Sequence, residues 1–218
     1  MMIDVLGGSI EYIDHMGSDV TVLNCAKVSF NKEVEEVDEK GEKLFTYLAK
    51  HGHWSPFSHP QVSVRINAPI SVQRQWEKHK VGVSNNSEST RYVTMIPRFY
   101  IPQNYRSQSE NNKQGSDGYI EEYKNDNCKD SVNAYYEHAL TMYDYLIANG
   151  VAREQARDVL PLSTYTTWIS TMSLYAAFNI YKLRTGHGAQ PEIGDYARAL
   201  EEIVEPLFPI AWSSLKNA

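Results

Sequence analysis

The sequence predicts an α+β fold with an N-terminal antiparallel sheet and a mainly helical C-terminal half, and three observations carry that prediction. The first is a set of short apolar runs near the N-terminus, parted by glycine-containing turns. The second is the alternation of Val62, Val64 and Ile66 with Ser63, Arg65 and Asn67, the pattern of a half-buried strand. The third is the apolar stripe Val132, Tyr135, Ala139, Met142 and Leu146, whose three- and four-residue steps mark one face of a long helix.

Taken in order, Ile3 to Val5, Ser9 to Ile13 and Val20 to Asn24 read as strands, separated by Gly7-Gly8 and by His15-Met16-Gly17-Ser18. An acidic stretch from Asn31 to Lys43 leads into a helix on which Leu44, Tyr47 and Leu48 repeat and which Gly52 ends. Pro69 suits the first turn of another helix, from Ile70 to roughly His79, placing Gln75, Lys78 and His79 near one face. Glycine and asparagine then break it, and Ser84 to Arg91 reads as a loop rich in hydroxyls, amides and backbone donors. Gln103 to Gly118 is polar and reads as a mobile surface insertion. Asn149-Gly150 closes the long helix, another runs from about Thr166 to Arg184, and Pro191 starts the last. No internal repeat is found.

At 218 residues the chain fits one domain, 1–218, large enough to bury a core without disulfides or metals. With 42% hydrophobic and 22% charged residues it has a soluble composition, and no apolar run approaches the ~20 residues of a membrane span. Met1-Met2-Ile3-Asp4-Val5 lacks the basic start and apolar stretch of a secretory signal, so cytoplasmic residence is the expectation. Cys25 and Cys128 are far apart and outside any Cys-x-x-Cys spacing, which predicts free thiols, with neither a disulfide framework nor a zinc site. The net charge of -6 argues against broad nucleic-acid binding. It leaves anionic small ligands open, because Arg74, Lys78 and Lys80 can focus a positive potential inside a cleft. Fifteen tyrosines against six phenylalanines point to half-buried faces and interfaces where a ring packs while its hydroxyl finds a partner.

The stretch Gln73 to Tyr92, QRQWEKHKVGVSNNSESTRY, packs cations and a hydroxyl-rich turn behind one helix start and ends on the Arg91 guanidinium, which can grip phosphate bidentately. A phosphate monoester is the ligand this pattern leads one to expect. The segment resembles the signature of flavin-dependent thymidylate synthases, an Arg-His-Arg triplet followed by Ser-x-Arg-Tyr. Lys78-His79-Lys80 stands in place of the triplet, Ser89-Thr90-Arg91-Tyr92 matches the second element, and the spacer is one residue longer than in the commonest form. The family's Asn-Glu pair reads Asn86-Ser87 here, with Glu88 one place later. Further blocks follow in order: Ala26-Lys27-Val28-Ser29, His51-Gly52-His53-Trp54-Ser55-Pro56-Phe57-Ser58-His59, Arg153-Glu154-Gln155-Ala156-Arg157 with Leu160-Pro161, and Leu183-Arg184 with Ala189-Gln190. Gly188 stands where the last block usually has histidine, and Gln103 to about Asn127 has no counterpart.

The resemblance implies the fold of that family and reductive methylation of dUMP to dTMP. It also implies FAD as cofactor, methylenetetrahydrofolate as carbon donor, NADPH as reductant, and a homotetramer with active sites between subunits. By the same resemblance Arg184 activates the uracil edge with Arg157 nearby. Ser87, Glu88, Ser89, Thr90 and Arg91 hold the nucleotide with Gln75 and Lys78. Lys78, His79, Lys80, His53, Ser55, Ser87, Ser173, Tyr175 and Asn179 meet the flavin. Ser173 and Tyr175 depart from the Asn-x-Arg of many relatives.

Blander readings stand beside each of these. Arg157 at three-residue spacing from Glu154 makes an ordinary helix-surface pair, Arg184 a favourable charge at a helix C-terminus, and Ser89 a turn or cap residue. His51, His53 and His59 within nine residues offer a different function, a metal-dependent hydrolase. A further alternative is a nucleotide- and flavin-binding relative that lost or altered turnover.

Overall fold

The structure is a computed structural model describing residues 1–89, 97–113 and 115–218. The chain runs β1 (Met2–Val5), β2 (Gly8–Met16), α1 (Asp19–Lys27), α2 (Glu39–Lys50), β3 (Gln61–Pro69), α3 (Ile70–Trp76) and β4 (Val83–Ser87). It continues with β5 (Arg106–Gln108), β6 (Ser116–Tyr119), α4 (Glu122–Ala148), α5 (Arg153–Ala156), β7 (Tyr165–Ser173), α6 (Leu174–Thr185), α7 (Pro191–Val204) and α8 (Pro209–Lys216). Strands β1-β2-β3-β7-β4, in that order, form an antiparallel sheet, and β5-β6 form a separate hairpin. The α+β class with a mainly helical C-terminal half is as the sequence predicts, although one central strand comes from that half.

Strand β3 buries Val62, Val64, Ile66 and Ala68 and turns Ser63, Arg65 and Asn67 to the other face, the period-2 pattern legible in its sequence. The buried face meets the helices over a core whose largest members are Trp76, Trp168, Trp212, Tyr196, Phe45, Phe57 and Phe208. On the opposite face Ser63 and Thr171 hydroxyls bond at 2.8 Å and Arg65 pairs with Glu11 at 2.9 Å. The β1-β2 turn places both Leu6 and Gly7 at positive φ, which suits the twist of a two-residue hairpin. The Tyr165 hydroxyl donates to the Leu6 carbonyl and so holds that unusual leucine conformation from outside. At Gly8 a Cβ would lie 2.1 Å from the Asn67 carbonyl oxygen, so only glycine lets β2 come so near β3 there.

Five expectations are corrected. Val20 to Asn24 lies in α1, not in a strand; a short apolar run has no period long enough to separate the two, and Ser18 with Thr21 starts a helix (N–H to Oγ1, 3.0 Å). Tyr165–Ser173 is a central strand, not the first half of a long helix. Its β-branched and aromatic residues alternate, with Trp168, Ser170 and Met172 inward, and the helix begins only where Ser173 Oγ accepts from the Ala176 N–H at 3.2 Å. The polar run 84–87 belongs to edge strand β4, not a loop; its residues are polar because one side of it faces solvent. The 103–118 segment carries the β5-β6 hairpin and is docked: Arg106 reaches Glu192 at 2.8 Å. Pro191 opens α7 but not the last helix, since α8 follows from Pro209.

Smaller differences concern α3 and α4. The α3 helix ends at Trp76, and residues 77–79 continue as a turn in which the His79 N–H meets the Trp76 carbonyl at 3.0 Å. On α4, Ala139 and Tyr143 are buried while Tyr135 and Met142 of the expected stripe face outward.

Candidate active site

The α3 helix owes its position to Trp76. Its indole is fully buried, donates to Ser170 Oγ at 3.1 Å, and sits edge-on to Trp168 with centroids 6.2 Å apart. That anchor brings the following turn against the end of α6, where Arg184 lies in the last helical turn. Arg184 Nε donates to His79 Nε2 at 3.0 Å, and its Nη2 donates to the Gln75 carbonyl at 2.9 Å. No hydrogen bond is made by Nη1 to any described residue, so one edge of a half-buried guanidinium is left for a ligand. Burial draws the Arg184 pKa below its ordinary value. Burial first, and the Arg184 charge second, push His79 down to about 4. The imidazole is therefore neutral at physiological pH, with Nε2 as acceptor and the proton on Nδ1. Lys78 and Lys80 flank it, both exposed.

A cavity of about 560 Å³ lies between β4, β7 and α6, the helix whose last turn carries Arg184. Tyr175, Ser173 and Asn179, all expected at the flavin, line it together with Trp54, Gly82 and Thr171, which sequence reasoning missed. The Trp54 and Tyr175 rings, 6.2 Å apart and tilted by 33°, also line a second cavity of about 270 Å³ that contains His53 and Lys182. Ser173 is buried, with its hydroxyl capping α6 and its N–H donating to the Gly82 carbonyl at 2.9 Å. Ser55 stands exposed in the 3-10 turn Ser55–Ser58 and lines neither cavity. Aromatic faces, valines and a few amides and hydroxyls around one slot fit a planar, amphipathic part of a dinucleotide such as FAD.

Ser87 and Glu88 lie along the β4 edge of the sheet. Ser87 Oγ accepts from Gln73 Nε2 at 2.6 Å, tying β4 to α3. Glu88 is engaged with β7: its N–H donates to the Thr167 carbonyl and its Oε1 accepts from the Thr167 N–H, both at 2.8 Å. Ser89 follows, half-buried, while Thr90 and Arg91 lie outside the described residues. Arg157 sits half-buried on the 3-10 turn Arg157–Val159, an element that packs against α4. The structure thus gathers Gln75, His79 and Arg184, groups Ser173, Tyr175 and Asn179 around the cavity, and holds Ser87 and Glu88 on β4 and its extension.

The histidine-rich turn forms no metal nest. His51 Nδ1 is bonded to the Tyr47 carbonyl at 2.8 Å, the His51 and His53 rings are 6.5 Å apart, and no three His, Cys, Asp or Glu converge among the described residues. The hydrolase alternative is not favoured.

Residues 11–210 match the family model described as thymidylate synthase complementing protein. The chain belongs to the flavin-dependent thymidylate synthase family. It is 36% identical over 210 residues to the flavin-dependent thymidylate synthase of Thermus thermophilus, covering 96% of this chain and 76% of that one. The enzyme of Thermotoga neapolitana is 37% identical, with 96% and 91% covered. Among solved structures, the UMP/dUMP methylase PolB from Streptomyces cacaoi bound with 5-Br dUMP superposes with a TM-score of 0.86 at 28% identity, covering 96% of this chain and 95% of that one.

Proposed function

We propose that the chain, acting as one domain over 1–218, methylates dUMP reductively to dTMP, with methylenetetrahydrofolate as carbon donor and NADPH reducing bound FAD. The observation that carries this reading is the Arg184 guanidinium, held by His79 and the Gln75 carbonyl with its Nη1 bonded to no described residue, on the same helix as the cavity-lining Tyr175 and Asn179. A half-buried, pre-oriented cation stabilises the negative charge that a uracil ring must gather before carbon five can attack the one-carbon unit. The two hydrogen bonds, to His79 Nε2 and to the Gln75 carbonyl, fix the guanidinium plane, so little reorganisation is needed as that charge grows. FAD, when bound, supplies the hydride that completes the methyl group.

The chain's own residues divide the remaining work. Tyr175, Asn179, Ser173 and Trp54 would hold the flavin in the cavity, with His53 and Lys182 in the adjoining one. Lys78, His79 and Lys80, with Ser55 and Ser87, would border it from the turn side. Ser87, Glu88, Ser89, Thr90 and Arg91 would take the nucleotide with Gln75, Lys78 and Arg157. Neither cysteine lines either cavity, and burial raises the Cys25 pKa, which agrees with a route that uses no enzymic thiol. Cytoplasmic residence and a homotetramer complete the proposal; the exposed Tyr123, Tyr135 and Tyr145 along α4 support the assembly. No helix among the described residues is long and apolar enough to cross a membrane.

The test is a visible spectrum of purified protein, followed by NADPH oxidation with dUMP and methylenetetrahydrofolate and detection of thymidylate. UMP is run in parallel, because PolB is named a methylase of both nucleotides. Flavin absorption with product from dUMP is the expected result. Protein that neither carries nor takes up flavin overturns the reading, and flavin binding without product leaves a binding relative that has lost turnover.

A further inference from the structure

A string of side-chain bonds joins the β5-β6 hairpin to Gln75, whose backbone carbonyl meets Arg184. Arg106 Nη2 donates to both Glu192 oxygens, at 2.9 and 2.8 Å, while its Nε is held by Ser116 Oγ at 3.0 Å. Gln190 Nε2 donates to Glu192 Oε2 at 2.9 Å, and Gln75 Nε2 donates to Gln190 Oε1 at 2.7 Å. The Gln75 carbonyl then accepts from Arg184. Burial alone would raise the Glu192 pKa, but bonds from Arg106 and Gln190 outweigh it and hold the carboxyl below its ordinary value.

The direction of the string is dictated by its charged end. A carboxylate is an acceptor only, so the Gln190 amide must turn its NH2 toward Glu192 and its oxygen toward Gln75. Gln75 must then answer with its own NH2, which also lies 3.4 Å from the Ser71 carbonyl, and its Oε1 is left over. An isolated amide has two near-equivalent orientations; two amides in series behind a carboxylate have one.

We propose that Arg106 and Glu192 are positioning residues for the nucleotide end of the site, acting through Gln190 to fix Gln75 and, through its backbone, Arg184. The proposal deepens the reading above and rests on Gln75 and Arg184 meeting the uracil nucleotide. It gives the hairpin, which matched nothing in the family signature, a part in substrate binding. Because the relay leaves Gln75 with an acceptor, it favours a nucleotide that offers an N–H or O–H donor there.

The test measures the dUMP dissociation constant by titration of flavin-loaded protein, with KM and kcat alongside, for wild type, Arg106→Met, Glu192→Gln, Gln190→Ala and the double variant Glu192→Gln/Gln190→Ala. Each single variant is expected to keep its flavin and weaken dUMP binding by about tenfold, the size of one lost hydrogen bond to a charged or pre-oriented group, with KM moving more than kcat. In the double variant the second change should add nothing, since the relay is already cut at Gln190. Unaltered dUMP affinity in the single variants, equal loss of flavin and nucleotide, or additive effects in the double variant would each overturn the proposal. Gln190 is exposed, so Gln190→Ala provides a folded protein even where Glu192→Gln does not. Wild-type protein that binds dUMP but forms no thymidylate defeats the functional reading while leaving the relay testable.

Discussion

Arg184 and His79, 105 positions apart in sequence, share a 3.0 Å hydrogen bond in which the guanidinium Nε donates to the imidazole Nε2. The bond needs a neutral histidine, because a doubly protonated ring has no lone pair to accept with and would repel Arg184. Replacing His79 by Leu should therefore loosen Arg184 and lower kcat/KM for dUMP by about 10²-fold, the order expected when a reacting group is displaced by about 1 Å. His79→Gln keeps an acceptor and should recover part of the loss. Equal kinetics for the Leu and Gln variants would show that the acceptor is irrelevant.

The same bond makes stability depend on pH in a definite direction. Folded His79 titrates near 4 against an ordinary histidine value of 6.5, so between those limits the unfolded chain binds the extra proton. Stability is then fullest above pH 6.5 and declines as pH falls toward 4. Urea midpoints taken across this window should fall less in His79→Gln than in wild type; parallel curves would contradict the assignment.

Arg184→Ala should remove the charge that stabilises the uracil anion and reduce kcat by about 10²–10³-fold, as loss of one oxyanion-type donor does. Arg184→Lys keeps the charge but cannot span His79 Nε2 and the Gln75 carbonyl with one planar group, and should remain severely impaired. Flavin absorption should persist in both, since the residues lining the aromatic slot are untouched. Rapid single-turnover measurement of thymidylate formation decides the point.

Where a single segment carries its own pattern, the sequence reveals the element. Val62, Val64 and Ile66 disclose β3, Pro69 the start of α3, and Asn149-Gly150 the end of α4. Polar composition misleads at 84–87, because an edge strand shows the same residues as a loop, and the β7 alternation was hidden by its direct continuation into α6. Motif likeness found Gln75, His79 and Arg184, and the first two both prove to bond to the third. It missed Trp54 and Gly82, which form the slot through ring contact and backbone conformation. It found Gln190 but missed its link through Glu192 to Arg106, since no local pattern joins residues 86 positions apart.

Gly82 offers a test of the slot itself. Its φ is +71°, and a Cβ would lie 2.8 Å from Ser173 Oγ and 3.3 Å from Ala176 Cβ. Gly82→Ala must therefore strain the backbone and push on the residue that caps α6, at a cost of about 1–3 kcal/mol. The variant should fold with a lowered melting temperature and bind FAD more weakly than wild type. Undiminished flavin affinity would place the cofactor elsewhere.

Lys78 and Lys80 are the departures from the family signature that the structure makes most accessible to experiment. Both are exposed on the turn that carries His79, with no ion pair to any described residue, so arginine can be introduced at either without disturbing a partner. Lysine offers a hydrated point charge on a flexible stem, whereas arginine offers a planar fork that matches phosphate and stacks on aromatic faces. If this turn borders the flavin and the nucleotide phosphate, Lys78→Arg with Lys80→Arg should tighten one or both ligands by about three- to tenfold, the gain of a bidentate over a single charged contact. The improvement should shrink as salt is raised, because ions screen and compete for solvent-exposed charge pairs. Titration of apoprotein with FAD, and of flavin-loaded protein with dUMP, at low and high salt measures both effects. Affinities that stay at the wild-type level under all four conditions would show that neither cation reaches a bound anion.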